Sequence, residues 1–401
     1  MSTALPPLLE LLVLQPTPFC NINCSYCYLP DRSFKKTMSE ETLARIFARV
    51  FESGIGDDGF TVVWHAGEPL VLPPEWYGRA CEILDAHNAV RVPVKHNIQS
   101  NGLLLDDRWA EFIRAKDVQI GLSIDGPQTL HDARRRTRSG RGTFDGALQA
   151  VERLQRFGID FHVITVLGWE SLQAPDLLFD FYRDHGIRDV AFNIEEIEGG
   201  NARSSLDRPD ATPAFKGFLR RFLERMSEEP HVLELREVAG ALAAILGTSG
   251  QTVANQQAEP LAILSVDVDG NIGTFSPELL GLRHPEYRGF TFGNVHAAPL
   301  LSVLDEPHFQ RIRDDIAAGV RLCAESCAYF GVCRGGAPAN KLFENGRFAS
   351  TETLFCRLTK QAVIDVVLED LEGRLGLGKT RVNPTTGSPK APTSGDGCYA
   401  S

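Results

Sequence analysis

The stretch Cys20-Asn-Ile-Asn-Cys24-Ser-Tyr-Cys27 constrains this chain more than any other. It follows the apolar run Leu8 to Leu14 and its proline-rich exit, so a buried strand must deliver three thiols to one tight loop. Three thiolates on such a loop hold three irons of a cubane cluster and leave the fourth iron open. A structural site would supply a fourth thiolate nearby, yet no further cysteine occurs before Cys81. The vacant corner points to chemistry rather than scaffolding.

The other cysteines reinforce that reading. Of nine, three lie at 20–27, four at 323–356, and only Cys81 and Cys398 stand alone. In a long chain with no secretion signal, such groups read as metal ligands before disulfides. Cys81 suits a small buried hydrophobe and Cys398 a free thiol near the end. The net charge of −11, with no basic run beyond Arg134-Arg135-Arg136, excludes nucleic acid or an anionic membrane as the main partner. No stretch reaches the roughly 20 apolar residues of a membrane span. A cytoplasmic location is expected. With 401 residues, 43% of them apolar, the chain can bury a core in two or three domains.

From residue 8 to about 195 short β-rich runs alternate with longer amphipathic ones. Strands are expected at 8–15, Phe60 to His65, Val92 to Gln99, Val118 to Ile124, Ile159 to Val166 and Asp189 to Ile194. Helices are expected at 39–53, 74–87, 106–115, 143–157 and 175–185, with Ser39 and Thr143 as N-caps and Pro74 at a first helical position. Alternating strands and helices imply an α/β fold with parallel pairing and right-handed crossovers. No dinucleotide-binding glycine pattern follows the first strand, so a curved, barrel-like sheet is favoured over a doubly wound one. Working groups then belong at the C-terminal ends of strands. Residues 199–212 read as a loop, followed by helices at 213–228 and 235–247. A hairpin, Leu261–Val268 with Ile272–Phe275, turns at Asp269-Gly270-Asn271. Further helices are expected at 299–317 and 357–372. Residues 376–401 read as a disordered tail.

The spacing Cys20-x3-Cys24-x2-Cys27, with Tyr26 before the last cysteine, resembles the signature of the radical S-adenosylmethionine (SAM) enzymes. Motifs after successive strands strengthen the likeness. Trp64-His65-Ala66-Gly67-Glu68-Pro69 is similar to that family's Gly-Gly-Glu-Pro motif, with Ala66 in place of its first glycine. Gln99-Ser100-Asn101-Gly102 and Ser123-Ile124-Asp125-Gly126-Pro127 follow the next two strands. His131-Asp132, Arg135, Gly140, Gly142, Thr143 and Phe144 also match. Singly, Gly67 and Pro69 are ordinary turn formers, Ser100 and Ser123 ordinary caps, and Arg134–Arg136 a solvated face; their order along the chain argues otherwise. The resemblance implies a partial (β/α)6 barrel, roughly residues 1–230. It implies a [4Fe–4S] cluster on Cys20, Cys24 and Cys27 that binds SAM at its open iron. Tyr26, Gly67, Glu68, Ser100, Asn101, Ser123, Asp125, Arg135 and Val166 are the implied cofactor contacts. Reductive cleavage of SAM would yield a 5′-deoxyadenosyl radical, which needs the low end of the roughly −700 to +450 mV range of such clusters, and so a donor of the flavodoxin or ferredoxin type.

Cys323, Cys327, Cys333 and Cys356 can complete a second [4Fe–4S] cluster, with tetrahedral zinc as the alternative for four cysteines. The arrangement resembles the C-terminal SPASM or twitch extension of radical enzymes that modify peptides and proteins, here about 231–375. Ser276 stands where a cysteine ligand usually follows the hairpin, so one auxiliary cluster is expected. The segment Cys333-Arg-Gly-Gly-Ala-Pro-Ala-Asn-Lys341, continuing to Ser350-Thr-Glu-Thr353 and Cys356, is similar to peptide maturases of the GrrM/OscB type. Those join an aromatic ring carbon to the Cβ of a residue two positions away, forming three-residue cyclophanes on a precursor peptide. A ring proton must then leave, and Glu195 or Glu196, after the sixth strand, are the candidate acid/base groups; a solvated acidic loop is the plain alternative. His65 and His162 read as structural. Two rival functions remain: formylglycine formation as in anaerobic sulfatase maturases, and a non-catalytic iron–sulfur sensor.

Overall fold

A computed structural model describes residues 8–247 and 255–377. Its strands form one sheet in the order β10-β9-β8-β1-β2-β3-β4-β5-β6-β7. These are β1 Leu11–Leu14, β2 Phe60–Trp64, β3 Val94–Ser100, β4 Gln119–Ser123, β5 Phe161–Leu167, β6 Asp189–Ile194, β7 Glu234–Leu235, β8 Ile263–Val266, β9 Asn271–Thr274 and β10 Gly293–Asn294. Strands β1 to β7 pair in parallel with their sequence neighbours, as the six-strand barrel reading expects. The hairpin β8–β9 does not form a separate sheet. Strand β8 pairs in parallel with β1, Leu11 opposite Ile263 and Leu14 opposite Val266.

Burial explains the strand sequences. One face of each strand packs beneath helices, with Leu12, Val62, Trp64, Ile98, Leu122 and Val163 excluded from water. Helix Glu40–Ser53 contributes Leu43, Ile46, Phe47 and Val50 to that core. Ser39 caps it, accepting from Thr42 N at 3.1 Å, and Pro74 opens helix Pro74–His87 at its first turn. Thr143 differs from expectation: its hydroxyl donates to Arg135 O at 2.9 Å instead of capping helix Phe144–Arg156. The Asp132 carboxylate takes over, accepting from Thr143 N at 2.7 Å and Phe144 N at 2.9 Å. A carboxylate already placed by the preceding helix, Gln128–Arg134, serves the positive helix end better than a neutral hydroxyl.

The later half departs further from its pattern. The helix expected at 299–317 is a 3-10 segment Leu300–Asp305 followed by helix Pro307–Ser326, which carries Cys323 in its last turn. Short helices Phe330–Cys333 and Pro338–Asn345 were not legible: the first is four residues holding Gly331 and Cys333, and the second is only eight residues long. The last helical run starts at Leu354, not 357, and includes a π-helical segment Arg357–Ala362. Nearly all of the expected tail, with Cys398, lies outside the described residues. Among the described residues no helix is long and apolar enough to cross a membrane.

The core also fixes the site. Tyr77 is 1% exposed, its ring meets Trp64 and Trp109 edge-on, and its hydroxyl donates to Pro69 O at 2.9 Å, directly under the loop after β2. Pro69 O also accepts from Leu72 N at 3.1 Å, so Tyr77→Phe should remove one of its two bonds and cost about 0.5–1.5 kcal/mol in anaerobic urea unfolding.

Candidate active site

The motifs after β1 to β5 converge. Cys20, Cys24 and Cys27 occupy the loop after β1, which is sewn to the segment after β4. Asn23 N donates to Arg136 O at 2.7 Å, Ser25 N to Arg134 O at 3.0 Å, and Arg138 Nε to Cys20 O at 3.0 Å. Tyr26 donates to Asp125 Oδ2 at 2.7 Å, and the Arg134 and Arg135 guanidinium groups lie 5.2 and 5.4 Å from its ring. Arg134 and Arg135 are therefore turned into the site, and only Arg136 of the run is exposed.

Asp125, 1% exposed, takes hydrogen bonds from four directions. Besides Tyr26 it accepts from Arg135 Nε at 2.9 Å and Nη2 at 3.1 Å and from Val166 N at 3.0 Å. Despite burial, the Arg135 charge and hydrogen bonds hold its carboxyl below the usual range. Arg135 thus spends two donors on Asp125, a contact the motif reading did not foresee. Ser123 accepts from Gln99 Nε2 at 2.8 Å.

Across the loop, Glu68 is 2% exposed and accepts from Leu70 N at 2.9 Å, Ser100 Oγ at 2.7 Å and Asn101 N at 2.8 Å. Burial raises its pKa against those bonds. A carboxylate has about four lone-pair sites, so room for a further donor remains. Asn101 Nδ2 reaches Asn21 Oδ1 at 2.8 Å and Cys20 Sγ at 3.9 Å, joining the motifs after β1 and β3. Gly67 has φ +103°, and a Cβ there would stand 2.2 Å from Thr17 O, so only glycine fits. Ala66 carries φ +66°, a conformation its methyl makes costly.

These residues fit an iron–sulfur group. Burial pushes the Cys20 thiol up to about 12 and Cys24 to about 11, and neighbouring cysteines push the same way. Such thiols ionise only beside a strong cation, which iron provides. The second group fits as well. Cys323, Cys327, Cys333 and Cys356 all line one cavity of about 320 Å³. Among the described residues no three His, Cys, Asp or Glu close on a single point as one ion requires; a cubane holds its thiolates further apart than one ion does.

The carboxylates after β6 divide. Glu195 is engaged by Arg134 Nη2 at 2.6 Å and by Ser205 N at 2.8 Å. Glu196, half-buried, accepts from Asn340 Nδ2 at 2.7 Å, and its pKa rises to about 8 through burial, with Glu278 and Glu344 adding repulsion. Glu198 and Glu278 are raised as well, chiefly by burial. Glu278, which pairs with the Ser276 hydroxyl, escaped the sequence reading, although it lies two residues from the missing cysteine. Tyr28 was missed too: its carbonyl accepts from Gly200 N at 2.6 Å, and its hydroxyl lies 3.3 Å from His65 Nε2. The glycine pair after the acidic loop was the available signal. A cavity of about 640 Å³ extends from Asn193 at the end of β6 past Lys360 to Cys333.

The radical SAM superfamily profile matches residues 14–181. An uncharacterized protein of Synechocystis sp. is 41% identical over 372 residues, 92% of this chain and 93% of that one. The cysteine-type anaerobic sulfatase-maturating enzyme of Clostridium perfringens is 27% identical over 194 residues, 47% of this chain and about half (52%) of that enzyme. Among solved structures, anSMEcpe with bound AdoMet and a Cp18Cys peptide aligns with TM-score 0.75 at 19% identity, covering 93% of this chain and 100% of that one. Streptococcus suis SuiB bound to precursor peptide SuiA aligns with TM-score 0.59 at 16% identity, over 86% and 76%. The chain belongs to the radical SAM superfamily. It is an enzyme that uses a [4Fe–4S] cluster and SAM, which removes the sensor reading.

The Asp125–Arg135 pair tests how this site is held. Arg135→Met should strand a buried carboxylate and cost about 3–5 kcal/mol, whereas adding Asp125→Leu should recover most of that loss in chemical denaturation.

Proposed function

We propose that the enzyme is a SPASM-type peptide maturase that forms three-residue cyclophanes, joining an aromatic ring carbon to the Cβ of a residue two positions away in a precursor peptide. The observation that carries this reading is the acidic group formed by Glu196 and Glu198 after β6 with Glu278 after β9; Lys360, whose charge acts on the Glu196 carboxylate, lines a cavity that reaches Cys333 of the second cysteine group. When bound, the cluster and SAM supply a carbon radical able to take hydrogen from an unactivated Cβ. The chain's residues then have two tasks. Cys20, Cys24 and Cys27, with Tyr26, Gly67, Glu68, Ser100, Asn101, Ser123, Asp125, Arg135 and Val166, hold and orient that group. The new bond breaks the aromaticity of the ring, and Glu196 takes the ring proton whose loss, with that of one electron, restores it. Glu195, tied to Arg134 and Ser205, keeps the acidic loop in place. One hydrogen leaves the Cβ as an atom; the other leaves the ring as a proton and an electron. Cys323, Cys327, Cys333 and Cys356 would hold one auxiliary [4Fe–4S] cluster, which would supply a one-electron acceptor beside the substrate cavity. A flavodoxin- or ferredoxin-type donor supplies the initial reducing electron.

Formylglycine formation is the second reading, favoured by the likeness to anSMEcpe. Against it, the sequence match to the sulfatase maturase spans about half of either chain. Ser276 in place of a cysteine also argues for a different auxiliary set. Mass spectrometry of candidate peptides separates the two. Loss of two hydrogens within an aromatic-containing segment supports the crosslink, and conversion confined to a Cys or Ser side chain overturns it.

Glu196→Gln should release 5′-deoxyadenosine but form at least tenfold less crosslink. Because a base must be ionised, wild-type crosslinking should rise with pH and level off above about 8. Stability runs the other way. Glu196 has a folded value above the unfolded one, so its contribution is full below about 4.5 and lost as pH rises through about 8.

A further inference from the structure

Lys341 is an anomaly in the auxiliary site. Its residue is 3% exposed, and its ammonium lies 2.9 Å from Gly319 O and 3.3 Å from Cys323 Sγ. Among the described residues these are its hydrogen-bond partners, and neither is a carboxylate. Buried charges are normally paired, because an uncompensated one loses its hydration for nothing. Lys216, by contrast, pairs with Asp365 at 2.5 Å. A Cβ on Gly319 would stand 2.2 Å from Phe348 O and 3.3 Å from Lys341 Nζ, so helix Pro307–Ser326 has no side chain at that point.

The cavity lining shows what compensates the charge. Among the described residues around it, Lys341 is the only basic side chain. The lining also holds four cysteines, Glu352 paired with Arg357 at 3.2 Å, neutral Gln361, whose amide lies 3.7 Å from Cys356 Sγ, and the hydroxyls of Ser326, Tyr329, Thr351 and Thr353. Four thiolates around an iron–sulfur core carry net negative charge, which grows by one on reduction. A cation donating to a ligand sulfur stabilises the reduced form more than the oxidised form, so it raises the potential; net charge and hydrogen bonds to sulfur are known levers on such clusters. The neighbouring residue has a matching position. Asn340 donates to Glu196 Oε2 at 2.7 Å, so one dipeptide in helix Pro338–Asn345 touches both the candidate base and the auxiliary thiolate.

We propose that Lys341 is a positioning residue that raises the reduction potential of the auxiliary cluster through Cys323, so that the cluster accepts the electron leaving the substrate. This rests on the reading of the four cysteines as [4Fe–4S] ligands. In the step it serves, the substrate radical formed after C–C bonding is oxidised: its ring proton passes to Glu196, and its electron reduces the auxiliary cluster by one.

The test is an EPR-monitored redox titration of the reconstituted full chain, with Cys20, Cys24 and Cys27 changed to Ala so that only the auxiliary cluster titrates. Lys341→Met and Lys341→Gln should shift the one-electron equilibrium at least tenfold toward the oxidised form, about 59 mV. Lys341→Arg should stay near the parent. A retained cluster with unchanged potential in Met or Gln overturns the proposal. If both neutral variants lose their iron, the parent value decides: an auxiliary potential above that of the SAM-binding cluster in the intact protein supports the proposal, and one below overturns it. Iron and sulfide for a single cluster in the intact protein would overturn the auxiliary-cluster reading and this inference together. Absence of crosslinking by the unaltered enzyme, with the predicted shift in the variants intact, would instead count only against the cyclophane reading.

Discussion

The carboxylate of Asp125 is the point on which the catalytic half hangs. It sits at the end of β4 and accepts from Tyr26 on the cysteine loop, from Arg135 on the following segment and from Val166 on β5. Four stretches far apart in sequence are thereby fixed by one buried anion. Desolvating that anion is unfavourable, and only the fork of Arg135 together with two further donors offsets the loss. The cysteine loop consequently has little freedom of its own. Its geometry is set by β4 and β5, which are in turn set by the apolar face beneath them.

The acidic residues after β6 and β9 have the opposite electrostatic character. Asp125 is pushed down by a cation, whereas Glu196, Glu198 and Glu278 are pushed up by burial, the first two also by neighbouring carboxylates. Asp125 stays charged, whereas burial makes the three glutamates hold their protons more tightly than free carboxyls do. Carboxylates driven apart in this way are a common sign of divided roles within one site.

Much of this was legible in the sequence because it follows local rules. Alternating apolar runs gave β2 and β6 to within a residue, and cysteine spacing marked both groups without any structure. What escaped depends on distant partners. Thr143 reads as a cap until Asp132, eleven residues earlier, is folded back over it. Glu195 and Glu196 are adjacent and chemically identical in the sequence; only the positions of Arg134 and Asn340 separate them. Lys341 stood in a motif quoted for its likeness, but its burial against Cys323 required helix Pro307–Ser326 to run past its expected end.

The pairing of β8 with β1 has a consequence for how the two halves can be separated. Strand β1 delivers the first cysteine loop, and its outer edge is covered by β8, which comes from beyond residue 260. A chain cut after β7 would keep every motif of the barrel but leave β1 with a row of unsatisfied amides and carbonyls at a sheet margin. Such margins recruit other chains. The later segment thus acts as a seal on the barrel, guarding it against self-association.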